Sequence, residues 1–190
     1  MRNRKFWFTL CIAALVLAAC SPQVGAAGRR SRLEQDSAAV CPDKTEGTEL
    51  LRAEEHAYCL LYPTGYTVER PNPEEIVLVV GSLLNVSEPR LYIQVSEAGG
   101  RTLQQAADAV VADHVGFEIE RSSATIGGQD AVVLDGVPGQ DISQLVLIVY
   151  AGRLYQLTFV PASQDAGEAY ARMQEFYATA TGSIVFLQRM

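Results

Sequence analysis

Apolar residues fall into three textures along the 190-residue chain. Residues 6–19 form an almost unbroken apolar run of 14, with only Thr9 polar. Residues 21–40 mix Gly, Ala, Ser, Gln, Pro and Arg without apolar periodicity. From about Glu46 apolar and polar positions alternate between Gly and Pro breaks, the texture of half-buried strands. Residues 50–61 predict one or two short strands, closing at Tyr62-Pro63-Thr64-Gly65-Tyr66. Residues 76–84 predict a buried strand, and residues 90–97 another that alternates Leu91, Ile93 and Val95. Residues 102–114 predict a helix with Leu103, Ala106, Ala107, Val110, Val111 and His114 on one stripe, Thr102 as N-cap and Gly116 beyond its end.

A meander of strands follows, over residues 117–126, 130–135 and 141–150, and Ala151-Gly152 turns directly into a strand over 153–160. Ser163 is the expected cap of a last helix running to about Ala180, with Tyr170, Met173, Phe176, Tyr177 and Ala180 facing the core. Gly182 is expected to break it, and residues 183–187 to pack as a short tail. Strands, helix, strands, helix is an α+β layout with a mainly antiparallel sheet flanked by helices. No internal repeat is visible. The textures divide the chain into a leader (1–19), a tether (20–45) and one domain (46–190).

The leader has the features of an export signal. Met1 to Lys5 is basic, and the apolar run behind it is short against the roughly 20 residues a membrane-spanning helix needs. It ends Leu17-Ala18-Ala19-Cys20, which resembles the lipobox of bacterial lipoproteins. The resemblance implies a diacylglyceryl group on the Cys20 thiol, cleavage before Cys20 and acylation of the new amino terminus. Two or more acyl chains anchor stably where one is marginal. The alternative is an ordinary signal peptide with an incidental cysteine. Ser21 stands where an Asp would argue for retention in the inner membrane, so the inner or outer membrane is not determined. About 20 tether residues span about 25 Å as a coil. Within them Arg29, Arg30 and Arg32 make a basic cluster, read as solvated linker or as a contact to anionic lipid.

The charge is −7, from 15 Lys and Arg against 22 Asp and Glu. Removing the leader with Arg2, Arg4 and Lys5 leaves 12 against 22, a balance of −10. So acidic a chain repels phosphate backbones, and no nucleic-acid partner is expected. Of four cysteines, Cys11 lies in the leader and Cys20 in the lipobox. Cys41 and Cys59 remain, in an exported chain, and a disulfide between them is the expectation, with a pair of reactive thiols as the alternative. It would close a loop of roughly 19 residues and contribute about 3 kcal/mol.

Chemistry-bearing patterns are sparse. The two histidines are His56 and His114. In Glu54-Glu55-His56 a strand would put Glu54 and His56 on one face and Glu55 on the other, so a metal site competes with a solvated strand edge. His114 ends a helix, where it meets the helix dipole. No phosphate loop, dinucleotide fingerprint, nucleophile elbow or calcium loop occurs, and no catalytic residue, cofactor or metal is assigned. Asn85-Val86-Ser87 matches a glycosylation sequon and is read as a loop.

Five segments carry a family resemblance: the Tyr62-Pro63-Thr64-Gly65-Tyr66 turn, the helix Thr102 to His114, the turn Gly127-Gly128-Gln129-Asp130-Ala131, the strand Arg153-Leu154-Tyr155-Gln156-Leu157-Thr158, and the closing helix with Ser183-Ile184-Val185-Phe186. Together they resemble the PsbP/Mog1-like superfamily over about 130 residues, with Tyr66 standing where Trp is commoner. The resemblance implies an α/β/α sandwich and a binding or assembly module, since the superfamily mostly supplies these. The expected function is therefore a cell-envelope lipoprotein, held in the lipid bilayer through acylated Cys20. Its extracytoplasmic domain would act as a non-catalytic interaction or ligand-binding module, with an envelope protein or a small ligand as partner. The alternative is a hydrolytic or metal-dependent envelope enzyme using His56 or His114 with scattered carboxylates.

Overall fold

The computed structural model describes residues 39–82 and 88–188. The leader, the lipobox with Cys20, the Arg29–Arg32 cluster and the Asn85 sequon lie outside the described residues. Ten strands and two α-helices are described: β1 Thr48–Ala53, β2 Tyr58–Pro63, β3 Thr67–Asn72, β4 Glu75–Val79, β5 Arg90–Glu97, α1 Leu103–Asp113, β6 Glu120–Ile126, β7 Gln129–Val137, β8 Ser143–Tyr150, β9 Arg153–Val160, α2 Glu168–Ser183 and β10 Val185–Phe186. They form two antiparallel sheets. The larger runs β3-β4-β5-β9-β8-β7-β6, and the smaller runs β1-β2-β10.

Alternation decides which face each strand buries. Leu91, Ile93 and Val95 of β5 and Tyr155, Leu157 and Phe159 of β9 are in register and point to one face. That face carries the main core, covered by α2 and the small sheet. On α2, Met173, Phe176 and Ala180 are fully buried at helical spacing, and Phe176 sits 4.6 Å from the Tyr66 ring and 6.0 Å from Phe159. Burying one such side chain contributes about 1.5–3 kcal/mol. The other face carries a second core on its β7–β8 side, where Ala106 and Ala107 of α1 lie over Val132, Leu134, Leu145 and Leu147. The layers are thus α1, the large sheet, then α2 with the small sheet, which is the expected α+β sandwich.

Local chemistry explains the element ends. Thr102 and Gln105 form a reciprocal capping box at the start of α1, with N–H to side-chain oxygen distances of 3.2 and 2.9 Å. The β8–β9 hairpin turns through Ala151 and Gly152, both at positive φ (47° and 78°), the conformation whose twist matches paired strands.

Several expectations are corrected. Residues 67–72 form β3, although the polar Thr-Val-Glu-Arg-Pro-Asn segment lacks apolar alternation; as an edge strand it needs only one paired side. β4 spans Glu75–Val79, and residues 83 and 84 of the expected strand lie outside the described residues. The strand expected from Phe117 begins at Glu120, and Phe117 is exposed. Val111, expected on the core stripe of α1, is exposed at the margin of that stripe. Ser163 caps a separate 3-10 turn, Gln164–Ala166, by accepting from the Asp165 N–H, and α2 starts after Gly167. Gly182 lies inside the last turn of α2, which runs to Ser183. The Ser183 hydroxyl donates to the Thr179 carbonyl at 2.6 Å and accepts from the Leu61 N–H at 2.8 Å, tying that turn to β2.

Candidate functional site

Glu54-Glu55-His56 is not a strand edge. The chain between β1 and β2 folds these residues into a 3-10 turn, closed by Ala57 in the left-handed region (φ 57°). Turning the backbone this way rotates His56 inwards to 5% exposure, while Glu54 and Glu55 stay out. The two carboxylates then go to different cations. Glu54 lies 3.4 Å from Arg52, and Glu55 lies 3.7 Å from Arg70 on β3.

Beside this turn, the β3–β4 hairpin from Arg70 to Ile76 forms the second wall of a cleft of about 530 Å³. Arg153 at the start of β9 braces the turn. Its Nη1 donates to the Glu55 carbonyl at 3.3 Å, and its Nη2 approaches His56 Nδ1 at 3.5 Å. The Tyr155 hydroxyl donates to the His56 carbonyl at 2.9 Å. The His56 ring stacks on Tyr58, centroids 6.5 Å apart. Burial, and next the Arg153 guanidinium, hold the His56 imidazole below its ordinary value, against the nearby Glu55 carboxylate, which favours its charged form. The neutral form is thereby favoured, with Nδ1 turned to Arg153. The Tyr58 hydroxyl is buried without a hydrogen-bond partner, and burial raises its pKa, so it stays a neutral phenol. Leaving it unpaired costs about 1–3 kcal/mol.

The other histidine is elsewhere. His114 caps the C-terminus of α1, and its Nδ1 lies 2.8 Å from the Val110 carbonyl. The fold does not bring it to His56. Among the described residues no group of three or more His, Cys, Asp or Glu side chains is placed to hold a metal ion. Cys41 and Cys59 are joined in a disulfide, with Cα atoms 5.7 Å apart. Cys59 lies on β2, three residues after His56, so the bridge fastens the segment around Cys41 to β2. Arg70, which lines the cleft, and Arg153, which braces the turn behind it, were not singled out from the sequence. Arg70 sits in a polar edge segment without alternation and Arg153 at the start of an alternating strand, and the facing of either could be read only once the neighbouring strands were known.

No protein-family model and no curated protein matches the chain. Solved structures do. The solution structure of cyanobacterial PsbP (CyanoP) from Synechocystis sp. PCC 6803 superposes with a TM-score of 0.51 at 16% identity, covering 75% of this chain and 94% of that one. The fold is PsbP-like. A Bacteroides thetaiotaomicron VPI-5482 protein aligns at TM-score 0.43 and 6% identity, covering 75% of this chain and 50% of that one. A Pseudomonas aeruginosa protein of unknown function, PA94, aligns at TM-score 0.37 and 17% identity, covering 67% and 93%. The PsbP-like fold supplies the scaffold, and function has to be argued from the site.

Proposed function

We propose that the chain is a cell-envelope lipoprotein, anchored through acylated Cys20, whose PsbP-like domain is a non-catalytic module that docks on a membrane-bound envelope protein. The observation that carries this reading is the position of the His56 cleft. The disulfide fixes the incoming tether beside it, so a tether of about 25 Å keeps the cleft near the bilayer that holds the anchor. The cleft presents Arg70 beside Glu55 and Glu75, charged groups of both signs suited to polar and charged side chains of a partner. Its imidazole is spent on scaffolding, which favours recognition over acid–base chemistry.

The test is a crosslinking pull-down from native membranes with the full-length, C-terminally tagged chain. One reproducible partner is expected, reduced both by Cys20→Ala and by Arg70→Glu. Equal capture by Arg70→Glu would remove the cleft from the reading. Loss of an envelope phenotype in a normally folded His56→Ala/His114→Ala variant would favour the enzyme alternative instead.

A further inference from the structure

A second cleft, of about 390 Å³, opens on the opposite face of the large sheet, beside the area that α1 covers. Its volume falls at the lower end of the range for small-molecule sites, roughly 300–1,000 Å³. Arg90, the first residue of β5, lines it together with Tyr92 and Gln94, which alternation places on the same face. Thr158 and Val160 of β9 and Leu145 of β8 continue the floor, and the β7–β8 connection from Pro138 to Asp141 makes a wall.

Arg90 is the feature that needs an explanation. It is 3% exposed, and its guanidinium carbon lies 5.9 Å from the Tyr92 ring centre. Its one ion pair is to Asp141, Nη2 to Oδ2 at 3.0 Å, and that carboxylate is 38% exposed on the loop. Its Nε is buried with no hydrogen-bond partner. A buried ion pair adds little to stability over apolar packing, and an unpaired buried N–H detracts from it. A guanidinium has five donors in a rigid fork, and Asp141 takes one of them. The unfilled donors belong to a group made to receive a planar anion such as a carboxylate.

The rest of the lining narrows the ligand. Asp141 stands beside Arg90, and Glu75 lies towards the other end, opposite Gln94 on the neighbouring strand. A simple anion would meet two carboxylates here, and a simple cation would meet Arg90. A molecule with a carboxylate and an ammonium side by side matches an arginine and an aspartate side by side. Val137, Pro138, Leu145 and Val160 offer an apolar bed for what lies beyond them. We propose that this cleft binds a free α-amino acid with an apolar side chain. The α-carboxylate takes the open donors of Arg90, the α-ammonium takes Asp141, and the side chain lies on Leu145 and Val160. This cleft meets the His56 cleft only at Glu75, and because Arg90 and Asp141 line this one alone, either reading can fail without the other.

The test uses the full chain in detergent. A thermal-shift screen with each of the twenty protein amino acids at about 10 mM is followed by calorimetric titration of L-leucine, N-acetyl-L-leucine and L-leucinamide. Saturable binding of leucine is expected, with each blocked derivative weaker by at least about tenfold, because each loses one charge-assisted contact. Asp141→Asn keeps the size and an acceptor for Arg90 while removing the charge, and, with the native circular dichroism spectrum as the check on folding, should weaken leucine about tenfold while leaving N-acetyl-leucine unchanged. Arg90→Lys should abolish binding of both. The proposal is overturned if no amino acid shifts the melting temperature, if the blocked derivatives bind within twofold of leucine, or if Asp141→Asn weakens all three ligands equally.

Discussion

Breaking the Cys41–Cys59 bridge tests how the small sheet is held. The bridge joins positions separated by 18 residues, closing a loop of about 19 in the unfolded chain. The entropy of closing such a loop is about 11 cal/mol/K, or about 3 kcal/mol at 25 °C. The native side changes little on reduction. β1 and β2 still pair along their full length, from Thr48 with Pro63 to Ala53 with Tyr58. The incoming segment keeps the Thr64 N–H to Gly47 carbonyl bond at 2.9 Å and the Thr48 hydroxyl to Thr45 carbonyl bond at 3.0 Å. The Lys44–Glu49 pair is fully exposed and screened by solvent, so it adds little. The loss therefore sits almost wholly in the unfolded ensemble. The assay is urea unfolding of the full chain, oxidised, reduced, and as Cys41→Ala/Cys59→Ala, followed by far-ultraviolet circular dichroism because the sole tryptophan is Trp7, outside the described residues. Both broken forms should lose about 3 kcal/mol, or about 6–12 °C in melting temperature, with a native spectrum in water. A loss under about 1 kcal/mol would refute the entropic reasoning. Free thiols at both positions in alkylated peptide maps of unreduced protein would refute the bridge.

Three further perturbations follow from the described contacts. His56 is held below its ordinary value of 6.5, so its contribution to stability is complete above pH 6.5 and is lost as pH falls towards its folded value, where only the unfolded chain takes up a proton. Urea unfolding should show a slope of up to about 1.4 kcal/mol per pH unit in that window, flattened in His56→Gln; an unchanged slope would rule His56 out as its source. A Cβ at Gly127 would lie 2.9 Å from the Ile184 carbonyl oxygen and 2.9 Å from the Phe186 ring, at φ +58°, so Gly127→Ala should cost about 1–3 kcal/mol. Gly128→Ala, with positive φ but open space, should cost less, and equal losses in calorimetry would show that backbone strain alone acts. Ala151→Asn should stabilise the β8–β9 turn by about 0.5–1 kcal/mol, read as a raised melting temperature, because Asn tolerates positive φ better than Ala.

Elements with strong local signals were legible, and those made by long-range pairing were not. β5 lies where its alternation of Leu91, Ile93 and Val95 places it, and α1 lies where Thr102 and its apolar stripe place it. The Ala151-Gly152 turn needed nothing beyond two short residues between apolar runs. β3 was invisible because an edge strand over solvent need not alternate. Two strands of the small sheet were legible over residues 50–61, but its third was not: β10 is two residues long and exists because Val185 and Phe186 meet Cys59 and Tyr58, far away in the chain. The end of α2 was misread because the Ser183 contact to β2 holds Gly182 helical against its low propensity.

Site residues were harder still, since their roles depend on a turn and on a register. A strand through Glu54-Glu55-His56 would have left the histidine at a wet edge with Glu54 beside it. The 3-10 turn instead buries the ring and sends each carboxylate to its own arginine. Arg90 shows the second dependence. At the start of an alternating strand, a charge reads as the point where the strand leaves the core for water. Its alternation with Leu91 assigns it to the other face, and this was legible. Its burial was not, because that comes from Asp141 and the β7–β8 connection, 51 residues further on. A charge at a strand end is thus surface or site according to what a distant loop covers, and only the assembled sheet decides between them.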